Sequence, residues 1–387
     1  MRTGLLVIVP HGLSELVAKG EVVERYYNPG GIFDRVDIVM TVDDEPDPAL
    51  VQPMVGDADL HLHQVPIPDG LFRRTLGFRP RLLRGWTSQI VALAQQVRPA
   101  LVRCHGAHLN ALAARHVRER LGVPYTVSLH TAPDEDVRHR AVTRGDRLRL
   151  RAMEPLERAG LLGADVVLPV YAPIVPYLQR LGVTRYEVAY NVVGGRHLRV
   201  KEDYALHDPI RVISVGRLLD AKNPEDLIRA ADELGGIELT IVGDGPLRPS
   251  LERDAPGNVK FLASVPNDEL CAMLAEQDVF ATHTEYWEIP KAILEPLLTG
   301  LPVLLNRRSG RPVPELQGGL CRFVESSVAG YREGLRELLG DDAAREELGR
   351  RGRREAVERY APDRTEERFA DIYRSLLAGN PLIPSRA

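Results

Sequence analysis

The chain has 387 residues, a formal net charge of −4 and an apolar fraction of 44%. Because this length exceeds what one hydrophobic core usually organises, we expect two domains of similar size. The composition excludes a low-complexity or intrinsically disordered protein. The three cysteines are widely spaced and odd in number, which argues against a disulfide framework and predicts a reducing, cytoplasmic location.

Short apolar runs alternate with helical patterns along the first half, which is typical of βα units and parallel sheets. The first run is too short for a signal peptide or a membrane span, so we interpret it as a buried strand. Helices are predicted between the strands, for example Trp86–Val97 and Leu109–Leu121. The predicted strands are Leu5–Val9, Val36–Thr41, Leu60–Val65, Ala100–Cys104, Tyr125–Leu129, Val166–Val170 and Tyr186–Tyr190.

One part of this half is locally basic. From Gly70 to Arg118 there are nine arginines and no Asp or Glu, and apolar and aromatic residues interleave with those of Arg73–Arg84. The Arg73–Arg84 segment is interpreted either as a contact for an anionic membrane or a phosphate-bearing acceptor, or as an ordinary solvated helix face. No nucleic-acid partner is expected.

A second series of strands follows a polar stretch, Gly194–Asp208, which we predict to be a linker. A terminal amphipathic helix is predicted over Pro362–Leu377. The domains are therefore predicted as residues 1–200, residues 201–361 and a C-terminal helical segment, 362–387. The second series comprises Ile210–Val215, Glu238–Val242, Val259–Leu262, Val279–Ala281 and Pro302–Leu305.

Ligands of open parallel sheets lie beyond the carboxyl ends of the strands, so the loops leaving the second series are the candidate site. Four of these loops carry glycines, cations or a helix start. Pro290 suits the first position of a helix, and the amides of Lys291, Ala292 and Ile293 are then predicted to be free donors at its positive end. The sequence thus predicts a diphosphate cradle. The four loops are Gly216–Pro224, Gly243–Pro246, Ala263–Asp268 and Thr284–Glu295.

The order and spacing of these motifs resemble the retaining glycosyltransferases of family 4 over roughly the C-terminal half. The resemblance implies an α/β fold of GT-B type, in which two doubly wound Rossmann-like domains face a central cleft and the C-terminal helix crosses back to the first domain. The matching motifs are Val-Gly-Arg at 215–217 with a following lysine, Ile-Val-Gly-Asp-Gly-Pro at 241–246, Val-Lys-Phe-Leu at 259–262, Leu-Glu-Pro at 294–296 and Gly-Leu-Pro-Val at 300–303.

The resemblance also implies roles for single residues. Arg217 and Lys222, with Lys291 and the amides of Ala292 and Ile293, would hold the donor diphosphate. Glu295 would bind the ribose hydroxyls, and the loop around Val265 and Asn267 would face the nucleobase. The loop glycines would be Gly12, Gly216, Gly243 and Gly245.

Simpler interpretations of the charged residues remain open. Arg217 could form a surface ion pair with Asp220, Lys222 could be a solvated loop charge, and Glu295 could pair with Lys291 one helical turn away.

The sequence departs from the family pattern at one position. The family has two glutamates separated by seven residues, and the first position here is Trp287. Glu288 and Glu285 flank it, and a one-residue shift of the loop would place Glu288 beside the donor sugar. We favour Glu288 in that role.

The first half resembles the family less closely. Only Gly12, in Pro10–Leu13, stands where a glycine pair is expected after the first strand. His130 ends a later strand and matches the family's histidine there, which implies that it orients the donor sugar without having to titrate. His105 and His108 are candidate acceptor contacts, with helix capping as the alternative.

Two patterns resemble metal-binding sites, but neither is specific enough to predict one. The acidic triplet Asp134–Asp136 is typical of a different glycosyltransferase architecture, and His61 with His63 lacks a third ligand nearby. We therefore expect no cofactor and no metal. The aromatic and glycine-rich segment Lys19–Gly31 is a candidate acceptor loop.

These observations predict a retaining transfer of sugar from a UDP- or GDP-linked donor to a hydroxyl of an unidentified acceptor, in bacterial glycoconjugate biosynthesis. The acceptor classes considered are a glycan, a lipid-linked acceptor and a natural product. A nucleotide-sugar 2-epimerase of the same architecture and a donor-binding inactive paralogue are the alternatives.

Overall fold

The computed structural model describes residues 3–72, 79–131, 133, 143–285, 288–308 and 313–380. These residues form two compact units. The first unit is drawn from Met1–Ala18, Val22–Val192 and Asp363–Ala387, and the second from Lys19–Glu21 and Val193–Pro362.

The first unit is built on a six-stranded parallel sheet with strand order β3-β2-β1-β4-β5-β6. The central strand β1 is buried along its whole length, because its side chains are apolar on both faces and helices cover both. The strands are β1 (Gly4–Val9), β2 (Arg35–Met40), β3 (Asp59–Gln64), β4 (Leu101–His105), β5 (Tyr125–Leu129) and β6 (Val166–Pro169).

Helices connect these strands and one returns from the end of the chain. The apolar stripe of this last helix, α13, places Phe369, Ile372 and Tyr373 in the same core as β1. The helices are α1 (Leu13–Ala18), α2 (Pro48–Val51), α3 (Pro80–Val97), α4 (Leu109–Leu121), α5 (Arg144–Gly163), α6 (Val175–Arg180) and α13 (Pro362–Leu377).

The second unit has its own six-stranded parallel sheet with strand order β12-β11-β10-β7-β8-β9. The strands are β7 (Ile210–Val215), β8 (Ile237–Val242), β9 (Val259–Leu262), β10 (Val279–Thr282), β11 (Val303–Asn306) and β12 (Arg322–Val324). The helices are α7 (Glu225–Leu234), α8 (Arg248–Asp254), α9 (Asn267–Ala275), α10 (Lys291–Thr299), α11 (Val328–Gly340) and α12 (Asp342–Tyr360).

The two doubly wound Rossmann-like sheets confirm the predicted fold class, and two strand assignments differ. The predicted strand Tyr186–Tyr190 forms only a single bridge, between Tyr186 and Val167, although two of its amides donate to the backbone of β6. The short strand β12 was not predicted, because three residues are too few for a recognisable pattern.

Candidate active site

The loops after β7 and β8 approach each other so closely that only glycine fits. A Cβ on Gly243 would lie 2.0 Å from the carbonyl oxygen of Gly216, and one on Gly245 would lie 2.3 Å from that of Leu218. Gly243 also has φ +148°, a conformation that L side chains rarely adopt. These glycines therefore bring main chain against main chain and fix the path of the loop that carries Arg217 and Lys222.

Lys222 and Glu288 meet at this edge of the second sheet. Lys222 Nζ lies 3.2 Å from Glu288 Oε1, and the two side chains are only 16% and 24% exposed. The contact is made because β7 and β10 are neighbouring parallel strands, so the loops at their carboxyl ends are adjacent. The contact thus joins Lys222, the predicted diphosphate cation, to Glu288, the glutamate that we favoured for the donor sugar. Trp287 lies outside the described residues.

The start of helix α10 differs in one detail from the prediction. Pro290 is the N-cap and the first helical residue is Lys291. The amide of Ile293, predicted to be free, donates to the carbonyl of Pro290 at 2.9 Å. Within the described part of the chain, the amides of Lys291 and Ala292 donate to no protein group, as the first amides of a helix usually do not.

Glu295 lies one turn further along α10 and is almost completely buried, at 3% exposure. Its Oε1 accepts a hydrogen bond of 2.8 Å from the side-chain amide of Asn267, the first residue of α9. Burial raises the pKa of this carboxyl to about 7, although the Asn267 hydrogen bond and the charge of Lys291 oppose the shift. The predicted ribose and nucleobase residues are thus in direct contact.

Two alternatives for the charged residues do not occur among the described residues. Glu295 makes no ion pair with Lys291, and Arg217 makes none with Asp220. Arg217 is exposed on the same loop as Lys222, and Val265 is half-buried just before Asn267.

Two residues that the sequence analysis did not single out hold the loop after β10. The carboxylate of Glu285 lies 3.3 Å from His283 Nε2 and accepts a hydrogen bond of 3.1 Å from the side-chain amide of Asn306. Asn306 and His283 carry no local motif, so nothing in the sequence pattern marked them.

In the first unit, His130 lies at the end of β5 and stacks on His105 at the end of β4. The two imidazole rings are nearly parallel, with centroids 5.3 Å apart and an interplanar angle of 9°. His105 is only 4% exposed, which argues against its predicted direct contact with an acceptor. Burial, followed by the charges of Arg103, His130 and His11, lowers the pKa of His105 well below its ordinary value.

A buried arginine lies next to this histidine pair. Arg103 is 1% exposed, and its Nη1 donates to the carbonyl of Tyr26 at 2.6 Å. Its guanidinium lies 5.0 Å from the ring centroid of Tyr26 and 5.2 Å from that of Phe369. Arg103 therefore ties β4 both to the loop before β2 and to helix α13.

His108 and Gly12 have protein partners rather than open surroundings. His108 is the N-cap of α4, but its side chain caps nothing; its Nδ1 lies 2.9 Å from the buried carboxylate of Glu157. A Cβ on Gly12 would lie 2.8 Å from the Asp44 carboxylate, which accepts the amide of Ser14 at 3.0 Å. The space beside Gly12 is filled by Asp44.

Two candidate contact segments contain buried residues. In the candidate acceptor loop Lys19–Gly31, Tyr27 and Asn28 lie in the core, at 0% and 1% exposure. In the Arg73–Arg84 segment, residues 73–78 lie outside the described residues. Leu83, inside the segment, is buried. Trp86, just after the segment, is also buried, and its Nε1 donates to the carbonyl of Val65 at 2.9 Å.

Neither metal-like pattern gains support from the described residues. His63 Nε2 lies 2.8 Å from the buried carboxylate of Asp37, which Arg35 also binds. The triplet Asp134–Asp136 lies outside the described residues. No helix among those described combines the length and the apolar character needed to cross a bilayer.

Comparison with known proteins identifies the family. The glycosyl transferase 4-like domain matches residues 29–194, and the glycosyl transferases group 1 model matches residues 199–355. The chain belongs to family 4 of the GT-B glycosyltransferases. The two matches of this family 4 chain contain strands β2 to β6 of the first sheet and β7 to β12 of the second.

Curated relatives are similar to parts of this family 4 chain. A sulfoquinovosyl transferase of Arabidopsis thaliana is 34% identical over 38% of this chain and 30% of its own length. A lipopolysaccharide core biosynthesis glycosyltransferase of Rhizobium meliloti is 28% identical over 47% of this chain and 54% of its own length. The matched stretch thus spans about half or less of each relative's length.

A solved structure resembles this family 4 chain over nearly its full length. Anabaena HepE, in complex with UDP and glucose, superposes with a TM-score of 0.70 at 15% identity, covering 96% of this chain and 100% of that one. At this level of identity the likeness supports the fold.

Proposed function

We propose that this chain is an active glycosyltransferase that moves a sugar from a nucleotide diphosphate sugar to an acceptor hydroxyl, with the anomeric configuration retained. The observation that carries the proposal is the contact between Lys222 and Glu288, at 3.2 Å. It places a cation and a carboxylate together beside the start of α10, where two main-chain amides have no protein acceptor among the described residues.

This arrangement suits the departure of a nucleoside diphosphate. Negative charge develops on the leaving diphosphate, and fixed cations and amide dipoles stabilise it, each donor contributing about 3 kcal/mol. In our proposal Lys222, Arg217 and the amides of Lys291 and Ala292 supply this stabilisation. No metal is required in this scheme, so we expect turnover to persist in excess EDTA.

Carboxylates supply the remaining donor contacts in the proposal. Glu288, held against Lys222, accepts hydrogen bonds from hydroxyls of the donor sugar. Glu295 accepts those of the ribose, and its contact with Asn267 orients the loop next to the nucleobase. Both roles need acceptor oxygens, which ionised carboxylates provide.

His130 is proposed to orient the donor sugar by hydrogen bonding, with no need to titrate. Its stacking on His105 restrains the ring without requiring a charge. The acceptor hydroxyl attacks from the face that the leaving group vacates, and a donor phosphate oxygen accepts its proton. The C–O bond to the diphosphate breaks as the bond to the acceptor oxygen forms, so the anomeric configuration is kept.

Names of similar proteins support the substrate classes. The Arabidopsis relative is called a sulfoquinovosyl transferase, the Rhizobium relative is assigned to lipopolysaccharide core biosynthesis, and the Anabaena structure contains UDP and glucose. These names support a UDP-linked donor and a bacterial glycoconjugate acceptor; a GDP-linked donor and a lipid-linked or natural-product acceptor stay in the proposal from the sequence analysis.

A peripheral membrane contact on the cytoplasmic side is proposed only through the exposed arginines of the Arg73–Arg84 segment. Arg79, Arg81 and Arg84 are exposed, whereas Leu83 and Trp86 are buried and unavailable to lipid. Such a contact would be electrostatic. Co-sedimentation with anionic vesicles at low salt, and its loss at high salt, is the expected result; no binding at low salt would refute the contact.

Calorimetric titration with UDP, GDP and their sugars tests the donor part of the proposal. We expect one nucleoside diphosphate to bind, and Lys222→Ala to weaken that binding roughly tenfold or more. Lys260→Ala is the matched control, because Lys260 is an exposed lysine of the same unit that pairs with Glu238. Unchanged affinity in Lys222→Ala would contradict the proposed cradle.

Product analysis separates the alternatives. Transfer to a glycan or lipid acceptor with the anomeric configuration of the donor, assigned by NMR, supports the proposal. An epimerised nucleotide sugar without acceptor would identify an epimerase. Binding without turnover would identify an inactive paralogue.

A further inference from the structure

A buried amide at the end of β11 is bonded to the loop that follows β10. Asn306 is 0% exposed, and its side chain pairs with Thr284 in both directions. Its Oδ1 accepts the Thr284 amide at 2.9 Å, and its Nδ2 donates to the Thr284 carbonyl at 3.2 Å. The same Nδ2 donates to Glu285 Oε1 at 3.1 Å. One side chain thus fixes two consecutive residues of the loop.

A second side chain from the same segment holds the other end of this loop. Arg308 Nη1 donates to the main-chain carbonyl of Glu288 at 3.2 Å. Asn306 and Arg308 therefore bind the loop at residues 284–285 and at residue 288.

The loop is also tied to the segment that carries the proposed diphosphate cation. The amide of Glu285 donates to the carbonyl of Ala221 at 2.8 Å, and Ala221 directly precedes Lys222. Lys222 Nζ then contacts Glu288 Oε1 at 3.2 Å. A continuous set of contacts runs from Asn306 through Glu285 and Ala221 to Lys222 and Glu288.

A purely structural role would account for only some of these bonds. Pairing with Thr284 satisfies buried main-chain groups, which any such loop requires. The bonds to the Glu285 carboxylate and to the Glu288 carbonyl are not needed for that purpose, since both groups lie at partly exposed positions. These two bonds fix residues 285 and 288, and residue 288 carries the carboxylate that contacts Lys222.

We propose that Asn306 and Arg308 are positioning residues for the donor sugar, which hold the Glu288 carboxylate against the Lys222 ammonium. The inference rests on the proposed function, because it assigns a purpose to the same site. Neither residue is proposed to touch the substrate. Their loss should impair the sugar half of donor recognition more than the nucleotide half.

The experiment compares four variants with the wild-type protein. Asn306→Asp keeps the acceptor for the Thr284 amide but sets an oxygen against both the Thr284 carbonyl and the Glu285 carboxylate. Adding Glu285→Gln to Asn306→Asp restores a donor to that contact. Arg308→Gln removes the bond to Glu288, and Arg307→Gln is the matched control, because Arg307 is the exposed neighbouring arginine and pairs with Glu325.

Calorimetry measures the affinity for UDP or GDP and for the corresponding nucleotide sugar. Steady-state assays measure kcat and KM for the slow hydrolysis of the nucleotide sugar by water. We expect Asn306→Asp and Arg308→Gln to lower kcat roughly tenfold, with affinity for the nucleoside diphosphate kept within about twofold. We expect the double variant to regain part of the loss, because the bond to the Thr284 carbonyl stays absent, and Arg307→Gln to match the wild type.

Several outcomes would overturn the inference. Wild-type kcat and KM in Arg308→Gln would do so, and so would equal losses of affinity for nucleotide and nucleotide sugar. If Asn306→Asp does not fold, Arg308→Gln decides alone. A wild-type protein that binds no nucleoside diphosphate would instead refute the proposed function.

Discussion

The side-chain amide of Asn267 donates a hydrogen bond of 2.8 Å to the buried carboxylate of Glu295. Asn267 is the first residue of α9, and Glu295 lies in the second turn of α10. The contact therefore joins two helices of the second unit. Burial nevertheless raises the pKa of Glu295 to about 7, because one amide replaces only part of the water that an ionised carboxylate would bind.

The first prediction concerns stability. The pKa of Glu295 rises from 4.5 to about 7 on folding, so the folded protein keeps the proton in this range while the unfolded chain releases it. The contribution of this group to the free energy of unfolding is fully present below pH 4.5. It is lost as pH rises through about 7, and the total loss is about 3 kcal/mol. Glu295→Gln should remove this decline.

Urea unfolding at pH 5 and pH 8 measures the effect. Glu325→Gln, at an exposed carboxylate, serves as the control and should unfold like the wild type at both pH values. An equal decline in wild type and Glu295→Gln would show that the carboxyl does not titrate in this window.

The second prediction concerns donor binding. Glu295 accepts ribose hydroxyls best as a carboxylate, so affinity for a nucleotide sugar should rise as pH increases towards the pKa of about 7 and level off above it. Below the pKa the expected change is up to about tenfold per pH unit. Calorimetry from pH 5.5 to 8.5 in buffers of different ionisation enthalpy should also detect proton release on binding below pH 7. Affinity that is flat with pH would argue against the ribose role.

The third prediction concerns the glycines after β8. Gly243→Ala should destabilise the protein by at least about 3 kcal/mol, because the new methyl group would overlap the carbonyl of Gly216 and the backbone conformation would be strained. Thermal denaturation measures the loss. Gly257→Ala is the control, since its Cβ would meet nothing within 4 Å. Similar melting temperatures for the two variants would refute the close approach.

The fourth prediction concerns acid lability of the first unit. Burial and the charges of Arg103, His130 and His11 lower the pKa of His105 well below 6.5, so the unfolded chain gains a proton there before the folded protein does. Stability from this group is present above pH 6.5 and falls as pH decreases, by up to about 1.4 kcal/mol per pH unit.

His105→Phe keeps a ring against His130 but cannot titrate, so it should reduce this slope. Unfolding free energies at pH 5.5 and 7.5 provide the measurement, with the exposed His197→Gln as the control. A slope unchanged from wild type in His105→Phe would place the acid sensitivity elsewhere.

Local patterns in the chain were sufficient to predict much of the fold. Helix α4 was predicted with its observed bounds, Leu109–Leu121, because its apolar spacing and the glycine that follows it are local signals. The loops with Gly216, Gly243 and Gly245 were likewise recognisable from neighbouring residues. Predictions of this kind succeed because hydrophobic periodicity and turn residues act over a few positions.

Which side chains meet was decided only by the tertiary structure. Lys222 and Glu288 are 66 residues apart, and Asn267 and Glu295 are 28 apart. Their contacts depend on the order in which β7 to β11 lie in the sheet. The same reason explains why Asn306 was overlooked and why His105 proved buried. Pairing across a sheet depends on the packing of whole elements, which short stretches of sequence do not encode.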